Sequence, residues 1–332
     1  MRVTDFDYSL PAELIAQQPV EPRDGARMLV LPRRGGRHTE HCHVRDLPDV
    51  LRPGDLLVAN RSRVLPARIL GRLAGGGRAE FLLLRARGPG QWEALARPAR
   101  RLRPGDVVTV TADLSVRVSA AFDDGIRHIE VDSDAALLAA GSVPLPPYIR
   151  GWLGDPERYQ TIFADTLGSA AAPTAGLHFT PDLLDRLAAR NIGWATLVLH
   201  VGLDTFRPIT HDDPGEHRMH REWYAVPQAL AQRIGSVRAA GGRIVAVGTT
   251  VTRALESWTA TGAAEGWTEL FIVPGYHFRV VDGLLTNFHL PRSTLLMLVS
   301  AFAGREHVLA AYAEAIEQRY RFYSFGDAML VI

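Results

Sequence analysis

The hydrophobic pattern changes its period near residue 150, and this change most constrains the fold of the 332-residue chain. From about residue 51 to that point, short apolar runs are separated by glycine-rich or charged turns, with no helical pattern between them. Pro-Gly-Asp turns at 53–55 and 104–106 each open such a run. Many short strands with close turns predict a small antiparallel β-barrel. We place its strands at 65–73, 79–87, 91–97, 107–111, 114–122 and 126–131.

Beyond residue 150, helical and strand patterns alternate to the end of the chain. Alternation of this kind is typical of a layered α/β domain, in which helices cover a sheet. Residues 1–62 contain short strand patterns but too little apolar sequence for a core of their own, so we expect them to join that domain. The sequence therefore predicts a discontinuous α/β domain of residues 1–62 and 150–332, with a β-barrel domain of residues 63–149 inserted into it.

Composition excludes several classes of chemistry. The one cysteine, Cys42, rules out an internal disulfide framework and a cysteine-based metal cluster. All 37 basic residues are arginine, which excludes a Schiff-base lysine, a lysine nucleophile and a phosphate-loop lysine. The longest apolar stretch, 295–303, is far shorter than the roughly 20 residues of a membrane span, and the first residues form no apolar signal core. We expect a cytoplasmic protein.

Positive charge is concentrated in one segment of a chain whose net charge is only +1. Eleven arginines lie between Arg61 and Arg103, where the only acidic residues are Glu80 and Glu93. A solvated arginine-rich face is one explanation of this segment. A nucleic-acid backbone attracts such a concentration of charge, and we favour a nucleic-acid partner.

The loop at 173–180 lies where an apolar run passes into an amphipathic helix, predicted from Pro181 to Arg190. Thr180 can cap that helix, and proline suits its first position. Open α/β sheets bind ligands at such strand-to-helix turns, which places His178 beside a potential ligand. A histidine buried beneath a tight turn is the equally acceptable structural explanation.

Three further turns in the second half combine small and polar residues: 200–207, 248–250 and 286–294. Gly248, Thr249 and Thr250 open a helix, where backbone N–H groups and hydroxyls can receive a carboxylate or a phosphate. His217 and His220 are three residues apart, whereas a zinc-binding helix places its histidines four apart around a glutamate, and we predict no metal site. The sequence also lacks the dinucleotide-binding, phosphate-loop and nucleophile-elbow motifs.

Long segments of the sequence resemble one enzyme family, in order and from end to end. They include DFDYSLPAELIAQQPVEPRDGARMLVL (5–31), PTAGLHFTPD (173–182), LHVGLDTFRP (199–208), RIVAVGTTVTRALES (243–257), TNFHLPRSTLLMLVSAF (286–302) and YRFYSFGD (320–327). These segments resemble the S-adenosylmethionine:tRNA ribosyltransferase-isomerases of queuosine biosynthesis. Arg61-Ser62, Asp204 and Val251-Thr252 depart from the residues we expect in that family.

The resemblance implies that the ribosyl part of S-adenosylmethionine is transferred to 7-aminomethyl-7-deazaguanine at the tRNA wobble position, forming epoxyqueuosine and releasing adenine and methionine. It also implies an α/β domain with an inserted barrel. S-adenosylmethionine would be a consumed co-substrate, with no resident cofactor. The partner would be a tRNA with a GUN-type anticodon, and we expect a monomer without a membrane partner.

The polar turns and this resemblance together suggest the candidate site residues. For proton transfer we name His178, His289 and Glu256, without dividing the roles of base and acid among them. For S-adenosylmethionine binding we name Thr174, Gly176, His200, Gly202, Thr205, Thr249, Thr250, Arg253 and Asn287. For tRNA binding we name Arg61, Arg63, Arg97, Arg100, Arg101 and Arg207.

Two alternatives belong to other functional classes. A non-catalytic RNA-binding protein would use the barrel for binding and would consume no S-adenosylmethionine. An S-adenosylmethionine-dependent RNA methyltransferase would release S-adenosylhomocysteine in place of adenine and methionine.

Overall fold

A computed structural model describes residues 1–33, 38–122, 125–150, 152, 154–202, 209, 211–217, 219 and 221–332. The chain divides into two compact units. The α/β unit comprises Met1–Arg63, Pro146–Thr166 and Ala172–Ile332, and the barrel unit comprises Val64–Leu145 and Leu167–Ala171. The predicted fold class, a layered α/β domain with an inserted antiparallel barrel, is confirmed.

The described strands and helices are numbered in chain order. The strands are β1 (Arg27–Leu31), β2 (Glu40–His43), β3 (Leu56–Asn60), β4 (Ser62–Val64), β5 (Arg68–Leu73), β6 (Arg78–Gly88), β7 (Gln91–Arg97), β8 (Val107–Thr111), β9 (Leu114–Ala121), β10 (Ile126–Glu130), β11 (Thr166–Ser169), β12 (Gly193–Leu199), β13 (Glu222–Ala225), β14 (Ile244–Val247), β15 (Glu265–Thr268), β16 (Gly283–Asn287) and β17 (Ala328–Val331). The helices are α1 (Leu47–Val50), α2 (Asp134–Ala140), α3 (Pro181–Ala189), α4 (Gln228–Ala239), α5 (Thr249–Thr261), α6 (Thr294–Ala303) and α7 (Arg305–Glu317).

The α/β unit is built on a nine-stranded mixed sheet in the order β15-β13-β12-β3-β14-β16-β17-β1-β2. Its central strands β12, β3, β14 and β16 are mutually parallel. Every residue of β3, β14 and β16 is buried, as expected of parallel strands that are covered on both faces. The sequence signal is a short, mainly apolar run without alternation of apolar and polar residues: LLVAN in β3, IVAV in β14 and GLLTN in β16.

The barrel unit contains a closed six-stranded barrel in the order β10-β7-β6-β5-β8-β9. Buried residues alternate with exposed or partly exposed ones along β7 and β9, which directs one face of each strand into the core. All six strands lie within three residues of their predicted bounds. The sequence prediction missed α2, which buries Leu137 in the barrel core behind a Ser133 cap.

Within the described residues, no single helix is long and apolar enough to cross a membrane. Helices α6 and α7 are long and apolar enough only when they are taken together, and the angle between them is 113°.

Candidate active site

A cavity opens where three parallel strands end. Val201 follows β12, Gly248 follows β14 and Asn287 ends β16, and all three residues line it. The carboxyl ends of parallel strands lie at one edge of a sheet, where open α/β proteins bind their ligands. The space not occupied by atoms, which includes open solvent at the mouth, is about 570 Å³. The lining residues are Tyr148, Ala172, Pro173, Thr174, Ala175, Val201, Gly248, Thr249, Thr250, Thr286, Asn287, Phe288, His289, Leu290, Ser293, Leu295, Tyr323 and Ser324.

The turn at Gly248 forms one wall of the cavity. Gly248 has a φ of 99°, a value that favours glycine, and α5 begins at the next residue. The first turn of a helix leaves backbone N–H groups without helical partners. Thr249 and Thr250 add two hydroxyl groups at this helix end, and both side chains are buried. This wall can therefore receive an anionic group without a charged side chain.

His289 contributes an imidazole to the cavity. Its Nε2 lies 2.7 Å from the Thr286 hydroxyl, and its backbone N–H donates to the Tyr312 hydroxyl at 2.9 Å. No described residue pairs with Nδ1. Burial lowers the pKa of His289 to about 3, so the ring is neutral at physiological pH. A neutral imidazole whose Nε2–H donates to Thr286 keeps a lone pair on Nδ1.

Asn287 joins two walls of the cavity. Its side-chain oxygen accepts from the Thr174 hydroxyl at 2.8 Å, and its Nδ2 donates to the carbonyl of Tyr323 at 3.2 Å. Tyr323 has a φ of 71°, a left-handed conformation that costs a non-glycine residue about 1 to 3 kcal/mol. The Tyr323 ring lies 4.8 Å from that of Tyr148, whose hydroxyl is 2.6 Å from the Ser324 hydroxyl. These contacts fix an aromatic wall.

The sequence analysis missed four polar lining residues: Tyr148, Ser293, Tyr323 and Ser324. Tyr148 lies in a proline-rich segment whose composition is typical of a linker. A positive φ at Tyr323 leaves no mark in the sequence. Ser293 lies within the predicted turn 286–294 but is not among the named site residues; it caps α6 by accepting from the Leu296 N–H.

The structure does not bring His178 into the cavity. It lies in a 3₁₀ helix, Thr174–His178, and is buried. Its Nδ1 faces the carbonyl of Ala175 at 3.2 Å and its Nε2 faces the carbonyl of Gly326 at 2.9 Å. Burial lowers the pKa of His178. Because its ring nitrogens face two backbone carbonyls, His178 ties this helix to the 323–326 turn, as the structural explanation of the loop expects, and its role in proton transfer stays a prediction.

Gly176 also lies outside the cavity lining, in a close-packed position. A Cβ atom at this position would approach Cγ2 of Thr161 to 2.9 Å and Cζ of Phe163 to 3.1 Å. The helix that carries Thr174 is thereby held close to its neighbours.

Glu256 is fully buried and does not line the cavity either. One carboxylate oxygen accepts from the Tyr276 hydroxyl and the backbone N–H of Arg279, at 3.1 and 2.8 Å. The other accepts from the N–H groups of Val280 and Val281, each at 3.1 Å. Four donors therefore hold this carboxylate, which anchors the 276–281 segment, and the proton transfer predicted for Glu256 stays a prediction.

Arg253, predicted to hold substrate, forms a buried ion pair with Glu222 and donates to the carbonyl of Leu270 at 2.9 Å. Glu222 also accepts from the backbone N–H of Gly202 at 2.8 Å. The Nη2 of Arg253 is buried without a hydrogen-bond partner in the described part of the chain. None of these residues lines the cavity, although Arg253 lies one helical turn beyond Thr249 on α5.

His200 follows β12 and also lies outside the cavity lining. Its Nδ1 is 2.8 Å from the Ser62 hydroxyl and its ring stacks on Trp223. Burial lowers the pKa of His200. The predicted residues Thr205 and Arg207, and the departure at Asp204, lie outside the described residues.

The five described arginines among those predicted to bind tRNA fall into two groups. Arg61 and Arg63 form ion pairs with Asp165 and Glu157. The other three, Arg97, Arg100 and Arg101, are exposed on the barrel unit, and no carboxylate among the described residues pairs with them.

Comparison with known proteins identifies the family. A family model for queuosine biosynthesis proteins matches residues 3–331. The chain belongs to this queuosine biosynthesis family. A relative from Symbiobacterium thermophilum, an S-adenosylmethionine:tRNA ribosyltransferase-isomerase, is 53% identical over the full length of both chains. A relative of the same name from Thermus thermophilus is 53% identical over 98% of each chain.

A crystal structure of the Thermotoga maritima S-adenosylmethionine tRNA ribosyltransferase is similar to the whole chain. It shares 39% sequence identity, with a TM-score of 0.58 over 99% of this chain and 100% of that one. The family resemblance stated from the sequence motifs is thus confirmed.

In this member of the queuosine family, the cavity lining described by the structure contains no arginine, aspartate or glutamate. Its polar groups are hydroxyls, one amide, one neutral imidazole and backbone N–H groups. Within the described residues, no group of three or more His, Cys, Asp or Glu side chains is arranged to hold a metal ion.

Proposed function

We propose that this chain is an S-adenosylmethionine:tRNA ribosyltransferase-isomerase. It transfers the ribosyl part of S-adenosylmethionine to 7-aminomethyl-7-deazaguanine at the wobble position of tRNA, forms epoxyqueuosine, and releases adenine and methionine. The observation that carries the proposal is a cavity with a neutral polar lining at the carboxyl edge of the sheet. Full-length relatives that bear this enzyme's name support it.

We propose that His289 moves the proton in this reaction. A sulfonium acidifies the hydrogens on the neighbouring 5′-carbon. The neutral Nδ1 of His289 would accept one of them, leaving the bonding electron pair on carbon. When the bond between the ribose and adenine later breaks, adenine leaves with the bonding pair and takes up the proton that His289 holds, which returns the imidazole to its neutral form. Of the three residues predicted for proton transfer, all within the described chain, His289 alone lines the cavity.

We assign substrate contacts to four of the predicted binding residues: Thr174, Thr249, Thr250 and Asn287. The first turn of α5 suits the methionine carboxylate, because its N–H groups and hydroxyls supply donors at the positive end of a helix dipole. Thr174 and Asn287 face the same space and suit the ribose hydroxyls. The Tyr148–Tyr323 wall offers an aromatic surface to the purine.

The remaining predicted residues take supporting roles in this proposal. His178 and Gly176 place the helix that carries Thr174, and Glu256 anchors the 276–281 segment. His200 contacts Ser62 and Trp223, and Gly202 and Arg253 both contact Glu222, outside the cavity lining. Thr205 and Arg207 stay predictions for substrate and tRNA binding. Arg97, Arg100 and Arg101 are assigned to the tRNA phosphates, and Arg61 and Arg63, which are already paired, to a lesser share of that binding.

We propose further that S-adenosylmethionine is consumed as a co-substrate, with no resident cofactor and no metal. The tRNA substrate would have a GUN-type anticodon that carries the deazaguanine precursor. The protein would act as a cytoplasmic monomer without a membrane partner.

Product analysis tests this function directly. The protein is incubated with S-adenosylmethionine and precursor tRNA, and the small molecules and the modified base are identified. We expect adenine and methionine in equal amounts, matched by loss of the precursor base. A matched tRNA with guanine at the wobble position should give neither product. S-adenosylhomocysteine would instead identify a methyltransferase, and unchanged S-adenosylmethionine would identify a binding protein.

A further inference from the structure

The barrel unit buries one arginine whose guanidinium contacts only backbone carbonyls among the described residues. Arg127, in β10, is 6% exposed. Its Nε donates to the carbonyl of Leu102 at 2.7 Å, and its Nη2 donates to that of Ala99. Its Nη1 donates to the carbonyls of Phe122 and Ile126, at 2.8 and 2.6 Å. A single planar group therefore joins the 99–102 segment to the start of β10.

The segment held by Arg127 carries the exposed arginines. We call residues 97–103 the arginine loop; its guanidinium groups belong to Arg97, Arg100, Arg101 and Arg103. All four residues are exposed, and none of their side chains has an ion-pair or hydrogen-bond partner in the part of the barrel that the structure describes. Leu102, near the end of the loop, is fully buried in the barrel core. The loop is thus fixed at Ala99 and Leu102 while its charges face solvent.

Two arginines on the neighbouring barrel strands, Arg68 and Arg85, differ from those of the loop. Arg68 pairs with Glu80 at 3.0 Å, and Arg85 pairs with Glu93 at 3.1 Å. Four like charges within seven residues repel one another. A fixed backbone that crowds them without nearby carboxylates suits a partner with regularly spaced negative charge, as a nucleic-acid backbone has.

We propose that Arg127 is a positioning residue that presents the arginine loop to the phosphates of tRNA. It acts through the carbonyls of Ala99 and Leu102 and does not touch the RNA itself. Arginine suits this role because its five donors lie in one plane and can reach two segments at once, whereas lysine offers three donors from a single nitrogen. The inference rests on the proposed function, which supplies tRNA as the polyanion.

The test compares Arg127→Gln and Arg127→Lys with Arg85→Gln, a control that removes one exposed, ion-paired charge from the same barrel. Binding of precursor tRNA is measured over a range of salt concentrations. We expect Arg127→Gln to weaken binding about 10-fold or more near 0.1 M salt. The slope of log binding constant against log salt concentration should fall by the equivalent of at least two phosphate contacts. Arg85→Gln should reduce it by one at most. The KM for S-adenosylmethionine should not change.

A double-mutant cycle separates positioning from simple loss of charge. In an Arg100→Gln/Arg101→Gln background, Arg127→Gln should have less than half of its single-variant effect, because the loop it positions has lost two of its contacts. Additive effects, or a salt slope reduced by one contact or less, would overturn the proposal.

Circular dichroism melting shows whether Arg127→Gln folds. Should Arg127→Gln unfold, Arg127→Lys provides the test, since it keeps the positive charge and loses only the planar arrangement of donors. A reduced salt slope in Arg127→Lys supports the proposal, whereas a wild-type slope and affinity overturn it. Failure of the proposed function is seen separately, as an absence of adenine and methionine release by the wild-type protein.

Discussion

The cavity and the arginine loop are suited to ligands of different charge. The described lining of the cavity consists of neutral donors and acceptors, whereas the arginine loop presents four guanidinium groups without a carboxylate partner among the described residues. S-adenosylmethionine carries both signs of charge on a small molecule, so hydrogen-bond geometry can select it. A tRNA backbone carries one sign over a long surface, so unpaired positive charge can select it. Binding of the two substrates should therefore respond differently to mutation, pH and salt.

The largest expected effect is on the chemistry in the cavity. His289→Ala should lower the turnover number by about 10²- to 10⁴-fold, the usual contribution of a general acid or base. Binding of tRNA should be unchanged, because the arginine loop is intact. Thr286→Val is the matched control: it removes only the hydrogen bond to Nε2 and should cost less. Rapid-quench measurement of adenine release checks both variants, and near-normal turnover in His289→Ala would remove this residue from the mechanism.

The position of the cavity could be predicted from the sequence, because it follows from topology. Gly248, Thr249, Thr250 and Asn287 end or follow apolar strand patterns, and the carboxyl ends of parallel strands converge. Side-chain direction could not be predicted in the same way. His178 lies in the expected loop, yet both of its ring nitrogens meet backbone carbonyls, one of them from the distant 323–326 turn.

The arginine segment shows the same limit in electrostatic terms. The sequence shows eleven arginines in one stretch but not which of them are neutralised. Arg61 and Arg63 find carboxylates at Asp165 and Glu157, about a hundred residues away. Arg127 lies outside the counted stretch, and only the structure reveals that its guanidinium holds the arginine loop.

The pH dependence of stability should distinguish the two regions next. Burial places the pKa of folded His289 near 3, below the value of about 6.5 expected for an unfolded chain. Its contribution to the free energy of unfolding is therefore fully present above pH 6.5 and is lost as the pH falls toward 3. Between pH 7 and pH 4, the wild-type protein should lose up to about 3 kcal/mol more than His289→Gln.

Chemical denaturation at each pH, with both proteins, measures that difference. Arg100→Gln/Arg101→Gln serves as the control, because arginine does not titrate in this range and its pH profile should follow that of the wild-type protein. Identical profiles for the wild-type protein and His289→Gln would show that His289 is not held neutral by burial.

The smallest expected effect concerns tRNA affinity. Arg100→Glu/Arg101→Glu should raise the Kd for precursor tRNA by about 10- to 100-fold near 0.1 M salt and flatten its salt dependence, because two phosphate contacts become repulsive. Arg61→Gln/Arg63→Gln removes two arginines that already have carboxylate partners and should change the Kd less. The KM for S-adenosylmethionine should stay constant in both variants, since the described cavity lining contains no arginine. Equal losses of tRNA affinity in the two double variants would mean that exposed, unpaired charge does not select the RNA. The proposed difference between the arginine loop and the cavity would then have no support from the loop.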